Sequence, residues 1–128
     1  ADTLRAVPKA FPALMRSCKI QKRAARVGFD WDTAADTLPK VHEEADEVLD
    51  ALKKGDAPAI AEEIGDLLFA CVNAARKAGV DPELALAAAT QKFTNRFIKM
   101  EELILSEGGC LSDMTLEQMD SYGDRIKK

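Results

Sequence analysis

The sequence predicts an all-α fold: a bundle of four main helices plus a short C-terminal helix, completed by dimerisation. Three observations carry that expectation. No stretch sustains the period-two alternation of a half-buried strand. Ala, Leu, Glu and Lys, all good helix formers, dominate the composition. The five Pro and seven Gly fall mostly at the edges of apolar-periodic segments, where helices start and stop.

The first helix is expected over about Pro12 to Val27, with Leu14, Cys18 and Ala25 on its apolar side and Gly28 stopping it. Gly28-Phe29-Asp30-Trp31 then forms a short connection. A second helix starts near Leu38, with Thr37 as its cap and Pro39 in the first turn, and ends near Lys54 before Gly55. A third starts at Asp56, read as another cap, and runs to Gly79. A fourth runs from Asp81-Pro82-Glu83 to about Glu107, where Gly108-Gly109 breaks it. A last helix begins at Thr115, which pairs with Gln118 as a capping box. Gly123 weakens its later half.

The chain has 128 residues and fits one domain, taken as residues 1–128. With 47% of residues hydrophobic and 31% charged, it is an ordinary globular composition rather than a disordered one. Net charge is −4, so nonspecific nucleic-acid binding is not expected. The basic residues nevertheless cluster early, at Arg16, Lys19, Lys22, Arg23 and Arg26. They read either as a solvated helix face or as a positive wall beside a phosphate site. The longest apolar run, Leu67 to Val72, is far too short to span a bilayer, so no membrane is expected. The three cysteines, Cys18, Cys71 and Cys110, form no C-x-x-C clip and no even framework. Free thiols suit the cytoplasm, and Cys71, inside the apolar run, reads as a core residue.

The third helix carries Ile60, Ile64, Leu67, Leu68, Cys71 and Ala75 as one stripe, with Phe69 on the other side. A helix apolar on both sides asks to be buried on both sides, hence the expected homodimer. Pairing of dimers into a higher oligomer is left open.

The strongest chemical signal is a local duplication. Glu43-Glu44-Ala45-Asp46-Glu47-Val48-Leu49 matches Glu62-Glu63-Ile64-Gly65-Asp66-Leu67-Leu68 nineteen residues later. On the second helix the stripe is read as Val41, Ala45, Val48 and Leu52, with Glu44 and Glu47 on its flank. On the third helix Glu63 and Asp66 occupy the same angular offsets beside Ile60, Ile64, Leu67 and Cys71. A short loop makes the two helices antiparallel neighbours. At about 1.5 Å rise per residue, Glu47 lies roughly 10 Å before the turn and Glu63 roughly 10 Å after it. Four carboxylates should therefore converge. Like charges at such spacings weaken a helix by a few tenths of a kcal/mol per pair, and a divalent cation reverses the sign. Carboxylate oxygens are hard ligands, suited to Mg²⁺ or to Mn²⁺ as a substitute. Because Mg²⁺ commonly takes phosphate oxygens as further ligands, the implied substrate is a phosphate ester or anhydride. His42 is the only histidine, and no Glu-x-x-His or H-E-x-x-H occurs, which argues against zinc and di-iron centres.

Lys40 through Glu47, Glu62 through Phe69, then Asn73, Arg76, Lys92-Phe93 and Arg96-Phe97, together resemble the MazG family of nucleoside-triphosphate pyrophosphohydrolases. Pro12 through Met15 and Arg26 through Trp31 are similar to it as well. The resemblance covers almost the whole chain; many members of the family carry two tandem copies of the domain, and this chain is closest to the C-terminal one. The resemblance implies Mg²⁺-dependent hydrolysis of nucleoside triphosphates to monophosphates and pyrophosphate by a dimeric helical bundle. By the same resemblance Glu44, Glu47, Glu63 and Asp66 are metal ligands and the catalytic set. Lys40 and Glu43 line the nucleotide site, Lys92 and Arg96 bind the triphosphate, and Asn73 contacts substrate. Two positions depart from the family: Thr90 stands where Asn is frequent, and Gly123 where a Trp would stack near the base, with Tyr122 as a partial substitute. The rival expectations are a noncatalytic helical dimerisation domain and a base-selective dUTP or dCTP pyrophosphatase of the same superfamily.

Overall fold

The computed structural model describes residues 2–127, and among these every regular element is helical. The helices are α1 (Ala13–Arg26), α2 (Leu38–Lys54), α3 (Ala57–Lys77), α4 (Pro82–Ser106) and α5 (Leu116–Lys127). Two single-turn 3₁₀ segments, Ala35–Thr37 and Leu111–Asp113, were not legible in the sequence. The chain divides into two compact units, residues 1–84 and 85–128.

In the first unit α3 is the central rod, packed along α2 and also against α1. Gly55 makes the α2–α3 hairpin possible. Its φ of 70° is left-handed, a conformation that costs glycine little, and its N–H closes back on the Ala51 and Leu52 carbonyls. Gly28 does the same after α1, at φ 95°. Its N–H reaches the Ala25 carbonyl, and the Phe29 N–H reaches Ala24.

Helix ends thus follow the glycines, and Thr37 and Asp56 stand at the expected N-cap positions of α2 and α3, but neither makes a side-chain cap bond. Thr37 is 1% exposed, and its hydroxyl donates to the Ala34 carbonyl at 2.6 Å, closing the 3₁₀ turn rather than capping α2. Asp56 makes no side-chain cap bond to α3. Asp81 does cap α4, its Oδ1 accepting from the Glu83 and Leu84 N–H groups at 2.9 and 3.2 Å. The capping box also forms. The Thr115 N–H donates to Gln118 Oε1 at 2.9 Å, and the Gln118 N–H donates to Thr115 Oγ1 at 3.2 Å. Gly123 does not interrupt α5.

Both hairpin helices are rotated from the expected orientation. On α2, Glu44 and Ala51 are buried and Val41 and Val48 half-buried, while Ala45 and Leu52 face outward. On α3, Ala70 is buried and Ile60, Glu63, Leu67 and Ala74 are half-buried, whereas Ile64, Leu68 and Cys71 are exposed. Cys71 is therefore not a core residue of the single chain. Each helix has two overlapping apolar stripes, and the one turned inward contains a glutamate.

In the second unit, Ile104 of α4 is fully buried. Glu107, just after α4, meets Arg125 of α5 at 3.3 Å.

Candidate active site

The shared rotation of α2 and α3 brings the two copies of the acidic repeat together along the seam, with Glu44 and Glu63 turned inward and Glu47 and Asp66 exposed. One ligand oxygen each from Glu44, Glu63 and Asp66 lies within 4.8 Å of the others. Glu44 is 6% exposed, and Glu63 is half-buried. Glu47 lies outside this tight triad but within hydrogen-bonding reach of Glu63. A bond between two carboxyl groups needs a proton on one of them. With both ionised, no donor stands between them.

The electrostatic signature follows. Burial is the main cause pushing the Glu63 carboxyl above its ordinary value. The bond and charge of Glu47 come next, then the charges of Asp66 and Glu44. Glu44 Oε2 and Glu63 Oε2 are both buried with no hydrogen-bond partner among the described residues. Buried carboxylate oxygens are rarely left so, and a divalent cation with hard-ligand preference satisfies them. The donor set fits such an ion: all oxygen, with no nitrogen or sulfur.

Lys40 completes this corner. Its ammonium lies 2.9 Å from Glu44 Oε1 and 3.6 Å from Glu43 Oε1. Its pKa is raised chiefly by the bond to Glu44, then by the charges of Glu43 and Glu44. Lys40 thus stands one turn before Glu44 on α2, and Glu43 directly precedes Glu44.

Glu44 and Asp66 also line a cleft of about 650 Å³, all of it within the first unit. Its other walls are largely apolar: Leu4, Ile20, Ala24, Phe29, Trp31 and Phe69. Asn73 and Arg76, two and three turns beyond Asp66 on α3, form a polar edge. Arg76 donates from Nε and Nη2 to Asn73 Oδ1 at 3.3 and 3.0 Å, and from Nη2 to Asp30 Oδ1 at 2.6 Å. Asp30 Oδ2 accepts from Lys77 at 3.0 Å, and Asp30 Oδ1 also receives the Trp31 N–H at 2.8 Å. This network ties the loop carrying Trp31 to the end of α3. It also fixes the Asn73 amide with its oxygen engaged and its NH₂ left as the group to be offered. The bond from Arg76, followed by that from Lys77, holds the Asp30 carboxyl far below the usual carboxylate range.

The remaining expected residues lie elsewhere. Lys92 and Arg96 are exposed on α4, one turn apart, in the second unit. Thr90 donates its hydroxyl to the Leu86 carbonyl at 2.9 Å, a bond within its own helix. Tyr122 is engaged inside the second unit, hydrogen-bonded to Glu107 and lying 5.1 Å beneath the Arg125 guanidinium. Along α1 the basic residues are half-buried or exposed, and Lys19 rests over the Phe11 ring at 5.1 Å. Two contributors to the cleft had no role in the sequence reading. Asp30 meets α3 across 46 residues of chain, so no local pattern announces it. Gln21 did leave a trace: it is a polar residue three positions after Cys18 on the apolar side of α1.

The fold and site define a class: an all-helical domain whose central hairpin gathers three carboxylates, one buried, one half-buried and one exposed, beside a largely apolar cleft. The family is the MazG nucleotide pyrophosphohydrolase domain, whose profile matches residues 32–100, and the chain belongs to it. It is 43% identical over 124 residues to a nucleoside triphosphate pyrophosphohydrolase of Escherichia coli K12, covering 95% of this chain and 47% of that protein. It is 44% identical over 116 residues to the nucleoside triphosphate pyrophosphohydrolase/pyrophosphatase MazG of Thermotoga maritima, covering 91% and 44%. It is also 43% identical over 131 residues to an uncharacterized Bacillus subtilis protein, YabN, of which it covers 26%. The chain thus spans less than half the length of these relatives. No helix among the described residues is long and apolar enough to cross a membrane.

The Asp30 network makes a pH-dependent prediction. A carboxylate whose pKa is depressed on folding stabilises the protein above its unfolded value, here near 3.8, and loses that contribution as pH falls through the folded value. Asp30→Asn should therefore lower the urea midpoint at pH 7. Its gap from wild type should close as pH drops below about 4. A gap that stays constant down to pH 3 would contradict the ion-pair account.

Proposed function

We propose that this chain hydrolyses nucleoside and deoxynucleoside triphosphates to monophosphates and pyrophosphate, with Mg²⁺ held by Glu44, Glu47, Glu63 and Asp66 and Mn²⁺ as a substitute. The observation that carries this reading is the carboxylate triad, which holds two buried, unpartnered oxygens and of which Glu44 and Asp66 line an apolar cleft. When bound, the metal supplies the positive charge that a triphosphate needs in order to sit against acidic residues. The chain's own groups do the rest. Lys40 screens Glu44 and Glu43 from an incoming anion, and the aromatic walls exclude water from the nucleoside. Glu47 stands outside the tight triad, so an oxygen it does not give to the metal would orient the attacking water and take its proton. Asn73 offers its NH₂ to the substrate. Lys92 and Arg96 are proposed as triphosphate-binding residues on the family resemblance and their shared helix face.

The chain is proposed to act as one module, residues 1–128, and as a homodimer. Support for the dimer comes from apolar residues left on the surface of the hairpin: Leu49 and Leu52 on α2, and Ile64 and Leu68 on α3, all 41–54% exposed. Such exposure of several large side chains on two neighbouring helices marks an interaction surface. A reducing, cytoplasmic setting suits the three free cysteines.

Incubation with a panel of common nucleotides and Mg²⁺ should give monophosphate and pyrophosphate. Changing a residue that merely supports a metal ligand costs about 10–100-fold, so Glu63→Ala and Asp66→Ala should each cost on the order of 100-fold or more in kcat/KM. Release of orthophosphate would overturn the reaction type, and activity that survives both substitutions would overturn the site. A folded protein inert on every nucleotide would favour a noncatalytic dimerisation domain, and turnover of one pyrimidine nucleotide alone would favour a base-selective pyrophosphatase. In sedimentation at micromolar concentration the wild type should run as a dimer and Leu68→Asp should shift it toward monomer. A monomeric wild type would contradict the oligomer reading.

A further inference from the structure

We propose that Gln21 is a base-reading residue, whose side-chain carbonyl accepts a hydrogen bond from an N–H on the edge of the nucleobase bound in the cleft. The proposal rests on the nucleotide reading above and adds what selects among nucleotides.

Gln21 is 5% exposed and sits on the inward side of α1. Its Nε2 donates to the Phe69 main-chain carbonyl on α3 at 3.0 Å. That partner can only accept, so the amide has one orientation: NH₂ toward the helix and oxygen away from it. The oxygen is buried and has no hydrogen-bond partner among the described residues. A buried side-chain acceptor held in a fixed direction with nothing to accept from is uncommon. Gln21 is also one of the residues lining the cleft that contains Glu44 and Asp66. A substrate with its phosphates at those carboxylates would lay its base against the apolar and aromatic walls of the same cleft, among Ile20, Phe29, Trp31 and Phe69. The flat faces of the base match those walls, and its polar edge needs partners that they do not supply. Gln21 offers an acceptor, and Asn73, with its oxygen engaged by Arg76, offers a donor. Adenine and cytosine each present an N–H donor beside a ring-nitrogen acceptor, the complement of that pair. A phosphate has no donor for Gln21, and a sugar hydroxyl does, so the sugar is the alternative to be separated.

The test compares kcat/KM for dATP against the deoxynucleoside triphosphate of unsubstituted purine, and for dCTP against that of pyrimidin-2-one. Neither analogue base carries an N–H donor. Both ratios are measured on wild type and on Gln21→Met, with Gln21→Leu as a second variant. Each ratio is taken within a single preparation, so the folded fraction cancels. A site built to pair with a substrate N–H discriminates strongly against the analogue lacking it. Wild type should therefore favour the amino bases by about tenfold or more, and the variants should bring both ratios to within about twofold of unity. Wild type without that preference, or a variant that retains it, overturns the proposal. So does a variant that changes only the ribose-to-deoxyribose ratio, since Gln21 would then meet the sugar. Absence of pyrophosphate from any nucleotide would bring down the catalytic reading itself. Brisk turnover with unaltered base ratios would bring down the role of Gln21 alone.

Discussion

Everything distinctive in the first unit depends on glutamates turned into a helix–helix seam. Ionised carboxylates are expensive to take out of water, with an effective penalty of about several kcal/mol each even after relaxation. Here Glu44 sits at 6% exposure beside Glu63, and Asp66 completes the group. Leucine at the Glu44 and Glu63 positions would pack the hairpin at less cost. A proton on one of the carboxyl groups offsets that penalty, as does a compensating charge. Lys40 provides part of it, engaging one oxygen of Glu44 and leaving the other without a partner. The hairpin is a scaffold with a deficit of positive charge at its centre, and that deficit is what a cation relieves.

The second constraint is the tie between the loop after α1 and the end of α3. Asp30 is held by Arg76 and Lys77 and receives the neighbouring Trp31 amide, so the aromatic wall of the cleft is fixed relative to Asn73. Arg76 is shared between Asp30 and Asn73, coupling the wall to an amide that faces the cleft. α1 is joined to the same rod through Gln21 and the Phe69 carbonyl. α1 and the loop that follows it are thus tied to the second half of α3, beside a cleft lined by Glu44 and Asp66 and by largely apolar walls.

Much of this was legible in the sequence, for identifiable reasons. The helix boundaries follow Gly28, Gly55 and Gly79, because left-handed backbone is a local requirement met by a residue visible in the text. Convergence of the acidic pairs was legible because helical period and hairpin symmetry are enough to fix it. The rotation of the helices was not. α2 and α3 each carry two apolar stripes, and the choice between them depends on what packs alongside, which is tertiary information. The expected stripe included Ala45, Leu52, Ile64 and Cys71, and these face outward. Three of the four expected carboxylates still meet because both helices turned the same way, moving Glu44 and Glu63 from the flank into the seam and leaving Glu47 outside the triad. Thr37 and Asp56 hold the cap positions that the sequence predicts without the cap bond, and for Thr37 the Ala34 carbonyl takes the hydroxyl instead, a partner that only the fold reveals. The Asp30–Arg76 bond spans 46 residues and has no local signature.

The central claim is that the α2–α3 seam is a divalent-cation site, and calorimetric titration of the metal-free protein with Mg²⁺ measures it without reference to any substrate. The account predicts saturable binding by the wild type and an affinity at least about tenfold weaker for Glu63→Gln, which keeps the shape of the side chain and removes its charge. Heat no greater than dilution for the wild type, or the same isotherm for both proteins, would contradict it.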